Sequence, residues 1–228
     1  MTSYLERYQH VQKITHAIDC IIFGFDKGAL EILLIERGFE PEEGKWSLAG
    51  GFVNKDEDVD AAAKRVLRTL TGLENVYLEQ VKTFGRVDRD PVVRVISTAY
   101  ITMILKSAYE KKKLTDFGAK WFPLDDLPNL IFDHAEMVQT AMQALRIQIP
   151  NTPIALNLLP KKFTLPQLQR VYECILNQPI DKRNFRKKIF QMNFFVKLDE
   201  KDKTGSRKGA YLYFFDESLF NEDSNFSL

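Results

Sequence analysis

Cysteine is scarce, with only Cys20 and Cys174 in 228 residues. Two distant thiols cannot form a disulfide framework, so a reducing cytoplasm is the expected setting and both are expected to act as small buried hydrophobes. No apolar run approaches the roughly 20 residues of a membrane-spanning helix. The opening Met-Thr-Ser-Tyr-Leu-Glu-Arg-Tyr-Gln-His lacks a secretory apolar segment. No membrane partner is expected. No internal repeat is apparent. An overall excess of charge is missing too, since 32 Lys/Arg face 31 Asp/Glu.

That neutrality hides an asymmetry. Residues 1–160 hold 19 basic and 22 acidic side chains, residues 161–215 hold 13 and 5, and residues 216–228 add four acids. A local excess of +8 in the second block calls for a polyanionic partner. An apolar content of 45% suits a folded protein with a sizeable core.

The chain is organised around residues 51–73, which read as a loop running into an amphipathic helix. Val59, Ala62, Ala63, Val66, Leu67 and Leu70 fall on one helical face, and Gly72 is placed to end the helix. Before it, 14–25 and 29–37 read as a hairpin turned at Asp26-Lys27-Gly28, and 46–51 as one short strand. After it come strands at 77–84, 93–105 and 119–123, a polar turn at 85–91, and Lys111-Lys112-Lys113 as a solvated turn. Asp133 is expected to cap a helix with Glu136 three positions on, and Met137, Val138, Ala141, Met142 and Leu145 form its buried stripe. His134, beside that cap, is either a ligand or a first-turn histidine with a packing or hydrogen-bonding role.

Two prolines in 151–160 mark a boundary between the differently charged blocks. Thr164-Leu-Pro-Gln167 is a capping box, and Leu165, Leu168, Val171, Tyr172, Ile175 and Leu176 recur at helical spacing. Asn177-Gln-Pro-Ile180 breaks that helix. Asp181 caps another, with Phe185, Ile189 and Met192 inside and Lys182, Arg183, Asn184, Arg186, Lys187 and Lys188 outside. Strand-like 194–198 and 210–215 flank a charged loop. Two short helices with a basic second member and a following hairpin match a winged helix-turn-helix. Arg183 and Asn184 are placed to read base edges, while lysines would meet phosphates. The expected DNA-binding set is Lys161, Lys162, Thr164, Gln167, Lys182, Arg183, Asn184, Arg186, Lys187, Lys188, Lys203, Arg207 and Lys208.

The spacing Gly51, Glu57, Arg65, Gly72 resembles the Nudix box, and together with the C-terminal signature the chain resembles the NrtR-like Nudix-related transcriptional regulators. The resemblance rests on 46–73, on Thr83-Phe-Gly-Arg-Val-Asp-Arg-Asp-Pro91, on Phe132-Asp-His134, on Phe163-Thr-Leu-Pro-Gln-Leu-Gln-Arg-Val-Tyr-Glu173 and on Asp181-Lys-Arg-Asn-Phe-Arg-Lys-Lys188. It implies an α+β fold in which residues 1–150 form a Nudix-like α/β/α sandwich, 151–160 a linker, 161–215 a winged helix-turn-helix and 216–228 an acidic tail. Where the family places glutamates after the arginine, Val66, Thr69 and Leu70 stand. A hard Mg²⁺ needs oxygen ligands that valine and leucine lack, so no catalytic residue, metal or cofactor is expected, and Arg65 is left to brace the loop and Glu57 to make a first-turn or loop contact.

The family's two branches sense ADP-ribose in NAD metabolism and sugars such as arabinose in sugar catabolism. The missing glutamates, and Val92-Val93 where many relatives carry Arg-Gly, tilt the expectation to a repressor of sugar catabolism sensing L-arabinose. An ADP-ribose-sensing regulator of NAD metabolism and an active Nudix pyrophosphohydrolase with an appended basic domain are the alternatives. The resemblance places the effector site at Asp19, Lys45, Trp46, Asp88, Arg89, Ser97 and Tyr100, and implies a cytoplasmic homodimer on double-stranded operator DNA with an inverted repeat.

Overall fold

A near-continuous apolar run makes β1 (Thr15–Asp26) the spine of the computed structural model, which describes residues 11–109, 118–204, 207–220 and 226–227. Ala17 to Phe23 are buried almost without exception because both faces of the strand are covered. β1 turns back into β2 (Ala29–Glu36) through Lys27 and Gly28, at φ 47° and 82°. Two central residues at positive φ fit a two-residue hairpin whose twist matches the strands. The segment at 46–51 is split, not one strand. β3 (Trp46–Ser47) pairs with β2, whereas β4 (Ala49–Phe52) pairs with β1. Between them the Leu48 N–H leaves the ladder and donates to His134 Nδ1 at 3.0 Å.

The box helix α1 (Val59–Thr71) is capped by Asp58, whose carboxylate accepts from Ala61 N, and ends at Gly72 with φ 68°. Ala62, Ala63, Val66 and Leu67 pack on Ile18, Cys20, Ile22, Leu33, Tyr100 and Ile104 on one sheet face. Deleting a buried side chain such as Leu67 to alanine costs about 2–5 kcal/mol, so this stripe anchors the helix. β5 (Glu79–Phe84) lies at the edge of β6 (Val95–Leu105), which runs parallel to β1 along its whole length. β6 starts two residues later than the pattern suggests, because the Asp90 carboxylate accepts from Val92 N and Val93 N and folds them into the turn. One helical turn, α2 (Lys106–Tyr109), follows, and β7 (Ala119–Pro123) pairs with β2.

The other face is covered by α3 (His134–Gln148), whose Met137, Val138, Ala141, Met142 and Leu145 meet Ile21, Phe23, Ile32, Leu34, Ile101 and Met103. Asp133 holds the cap position without capping; its side chain makes no cap bond because Arg89 occupies both oxygens.

Residues 151–160 are packed. A 3₁₀ turn at Pro153–Leu158 buries Ile154, Ala155 and Leu158 in the same apolar cluster that holds β1, α3 and the C-terminal helices. Beyond it β8 (Phe163–Thr164) leads to α4 (Leu165–Leu176), whose Thr164–Gln167 capping box is formed on both sides. Asn177, at φ 52°, ends α4. α5 (Lys182–Gln191) starts at Asp181, which accepts from Asn184 N at 2.8 Å. β9 (Phe195–Asp202) and β10 (Ala210–Phe215) complete a three-stranded sheet with β8. Phe226 is buried and stacks on Phe194 at 5.9 Å. The lysine turn at 111–113, the opening residues 1–10 and the acids at 222 and 223 lie outside the described residues.

Candidate functional site

The loop entering α1 is closed by a fork. Arg65 donates from Nη2 to Glu57 Oε1 at 2.6 Å and from Nε to Oε2 at 2.9 Å, and Nη2 also reaches Phe52 O at 2.8 Å. Asn54 N takes Glu57 Oε1 as well. Hydrogen bonds from Arg65 first, then from Asn54, hold the Glu57 carboxyl at about 2. These oxygens serve the loop. Val66 is buried under Gly51, where an added Cβ would stand 2.8 Å from Val66 Cγ2. Thr69 is exposed, and Leu70 lines the neighbouring cleft. Among the described residues no three His, Cys, Asp or Glu side chains converge as a metal would require.

That cleft, about 320 Å³, opens at the end of the sheet where β1 and β6 begin and β2 finishes. Asp19, Gly50, Phe52, Arg89, Phe132 and His134 are among its lining residues, with Arg37 and Phe39 beside them. Arg37 lies 3.9 Å over the Phe39 ring and 5.5 Å from that of Phe132, and its Nε donates to Phe39 O and Pro41 O. Phe39 and Phe52 are mostly exposed at the rim.

The floor is a buried polar cluster drawn from four elements. Arg89 donates from Nε to Asp133 Oδ2 at 2.9 Å and from Nη2 to Oδ1 at 2.7 Å, and the same Nη2 lies 3.7 Å from Asp19 Oδ2. Ser97 donates to Asp19 Oδ2 at 2.6 Å. Removing one partner of such a buried pair typically costs about 3–5 kcal/mol, so Arg89 and Asp133 depend on each other. His134 is held neutral: burial lowers its pKa, against the opposing pull of Asp19 and Asp133.

Three of the seven expected effector residues meet here. Asp19 and Arg89 line the cleft, and Ser97 supports Asp19 from beneath. Tyr100 does not. It is three residues from Ser97 on one strand, so it faces the opposite side of the sheet, where its hydroxyl donates to Asp60 at 2.5 Å. Lys45 is exposed and pairs with Glu42, Trp46 packs edge-on against Phe122 at 4.7 Å, and Asp88 is exposed beside Arg86. Arg37, Phe39, Phe52 and Phe132 were not foreseen, because only the fold brings the end of β2 against the loop before α3.

The second candidate surface is α5. Lys182, Arg183, Asn184, Arg186, Lys187 and Lys188 are all exposed, while Phe185 and Ile189 are buried against α4. Lys203, Arg207 and Lys208 are exposed on the hairpin that follows. Lys161 is exposed, and Lys162 is paired with Glu200 at 2.7 Å. Thr164 is buried, and its hydroxyl accepts from Gln167 N, so it acts in the cap and is withdrawn from any DNA surface. Gln167 is exposed, but its Oε1 accepts from Thr164 N. Lys197 and Lys201 of β9 lie 3.7 and 4.4 Å from the Tyr211 ring of β10. Their spacing of four on one strand face was the signal for that cluster.

The chain is similar in sequence and fold to known proteins. Residues 13–141 match the family model of the NUDIX domain, and 155–215 that of the NrtR DNA-binding winged helix domain. The chain is 34% identical over 213 residues to the ADPR responsive transcriptional repressor NtrR of Acinetobacter baylyi, covering 92% of this chain and 84% of that protein. It is 33% identical over 143 residues to the ADP-ribose pyrophosphatase of Methanocaldococcus jannaschii, covering 61% and 79%. The crystal structure of Shewanella oneidensis NrtR complexed with a 27mer DNA superposes with a TM-score of 0.81 and 28% identity, covering 89% of this chain and 94% of that one.

Proposed function

We propose, because this chain belongs to the NrtR-like family of Nudix-associated winged-helix regulators, that it is a DNA-binding transcriptional repressor of NAD metabolism whose Nudix cleft senses ADP-ribose. The observation that carries this reading is the likeness to an ADPR responsive repressor across both halves of the chain. The cleft's chemistry supports it. Phe39 and Phe52 offer exposed faces for an adenine, and Arg37 uses only Nε on protein carbonyls among the described residues, leaving two amino groups for phosphate. A small sugar such as L-arabinose would leave that rim unused, so the sugar reading drawn from the box and from Val92-Val93 gives way to its alternative.

The protein acts in this reading without turnover. Val66 and Leu70 put apolar surface where the family's carboxylates would hold a metal, and Glu57 is committed to Arg65. Residues 161–215 bind duplex DNA through α5, with the β9–β10 hairpin on the backbone. The working unit is a homodimer on an inverted repeat in the cytoplasm, since one winged helix covers a half-site. Light scattering of the protein and the stoichiometry of its DNA complex test the dimer. For the effector, ADP-ribose and L-arabinose are titrated in parallel against the protein–operator complex. Release by ADP-ribose alone is expected; release by arabinose alone refutes the effector assignment.

A further inference from the structure

At the bottom of the cleft one acceptor and one donor face each other across a gap. His134 Nδ1 accepts from Leu48 N at 3.0 Å, so in the neutral ring the proton sits on Nε2. Nε2 lies 3.7 Å from Asp19 Oδ1, too far for a hydrogen bond. The other Asp19 oxygen is already used, because Oδ2 accepts from Ser97 and lies near Arg89. Both side chains are more than nine-tenths buried, at 8% and 6% exposure, and both line the cleft. Gly50 keeps Oδ1 reachable. A Cβ there would stand 2.1 Å from that atom, so any larger residue would displace the carboxylate.

A gap of 3.7 Å between a fixed acceptor and a fixed N–H admits one oxygen within bonding distance of both. Water fits such a place, and so does a group that donates and accepts at once, which among ligand groups means a hydroxyl. A phosphate oxygen does not fit, because it would face the Asp19 carboxylate without a proton to share.

Resting on the ADP-ribose reading, we propose that Asp19 and His134 form a hydroxyl-reading pair that takes the terminal ribose, one hydroxyl donating to Asp19 Oδ1 and accepting from His134 Nε2. The ligand then enters ribose first, with its diphosphate near Arg37 and its adenine at the Phe39 and Phe52 rim. The pair sets specificity, because a ligand without that hydroxyl leaves a buried acceptor and a buried donor unmet.

The test is calorimetric titration of the full-length protein with ADP-ribose, with its analogues lacking one terminal-ribose hydroxyl at a time, with ADP, and with free D-ribose and L-arabinose. Wild type is expected to bind one deoxy analogue about tenfold or more weaker than ADP-ribose. Asp19→Asn, which can turn its amide oxygen to Ser97 and present a second donor to the gap, takes away the acceptor for the hydroxyl's proton and is expected to bind ADP-ribose about tenfold or more weaker than wild type, with a narrower margin over that analogue. Equal affinity of wild type for ADP-ribose, every deoxy analogue and ADP overturns the pair. If a free pentose binds and ADP-ribose does not, the ADP-ribose reading fails, and loss of pentose binding in Asp19→Asn would still uphold the pair. Absence of binding by all of these ligands overturns both.

Discussion

Arg146, in the last turn of α3, donates from Nε to the carbonyl oxygen of Ile175, in the last turn of α4, at 2.8 Å. The same α3 carries His134 in its first turn, at the cleft floor. Its 15 residues make a rod of roughly 22 Å from the cleft to the end of the helix that precedes α5. A second tie crosses between the two parts of the chain, where Arg170 Nε donates to Gly28 O at 2.9 Å. A ligand alters DNA affinity only as far as it prefers one arrangement of these parts, and this rod is a physical element through which such a preference can act.

Arg146→Met should therefore weaken coupling more than binding. ADP-ribose affinity in the absence of DNA is expected to stay within about twofold, while its effect on operator affinity, about 1–3 kcal/mol in such switches, should shrink by half or more. DNA titrations with and without ADP-ribose measure this, and an unchanged effect excludes the rod.

On α5, Arg183→Ala and Asn184→Ala should each cost about 1–3 kcal/mol on the operator and little on unrelated duplexes, whereas Lys187→Ala should weaken all duplexes alike and lower the salt slope. Thr164→Ala is expected to lower stability by about 1 kcal/mol through the lost cap, with base preference intact. A Thr164→Ala protein of normal melting temperature but altered base preference would contradict its assignment to the cap.

Hydrolysis should be absent. With ADP-ribose and Mg²⁺ or Mn²⁺, AMP release is expected to stay far below ordinary enzyme rates of order 1 per second. Turnover at that rate would return the chain to the pyrophosphohydrolase reading.

Stability should fall in mild acid through His134. Its folded pKa is depressed below the ordinary 6.5, chiefly by burial, while Asp19 and Asp133 pull it up and Arg89 and Arg37 push it down. An unfolded chain thus binds a proton there that the folded one refuses, so this contribution is whole above the unfolded value and is lost as pH falls below about 6.5. Urea unfolding at pH 7.5 and 5.5 should show the loss in wild type and a smaller one in His134→Gln. Equal slopes in the two proteins would remove His134 from the account.

The amphipathic period of α1 and the positions of Gly72, Thr164 and Asp181 are local matters, and they were legible because capping and helical periodicity involve residues within a few positions of each other. The hairpin at Lys27-Gly28 was legible for the same reason. That Arg65 braces the loop was expected from the box, but its fork onto Glu57 belongs to the structure. Where two distant partners compete for one group, the sequence is silent. Asp133 has a cap residue's position and lost that role to Arg89, 44 positions away, which is buried and needs a carboxylate.

Strand parity could have separated Ser97 from Tyr100, since neighbours of unlike parity face opposite ways. Nothing local marks Arg37 and Phe39 as companions of Phe132 and His134. The sequence by itself determined most of the elements, the caps at Gly72, Thr164 and Asp181, the two-part order and the charge of α5, all set by near neighbours and composition. Only the tertiary structure decided the cleft, because its donors and acceptors come from β1, β6, the turn after β5 and the start of α3, and long-range packing alone puts Asp19 Oδ1 and His134 Nε2 3.7 Å apart.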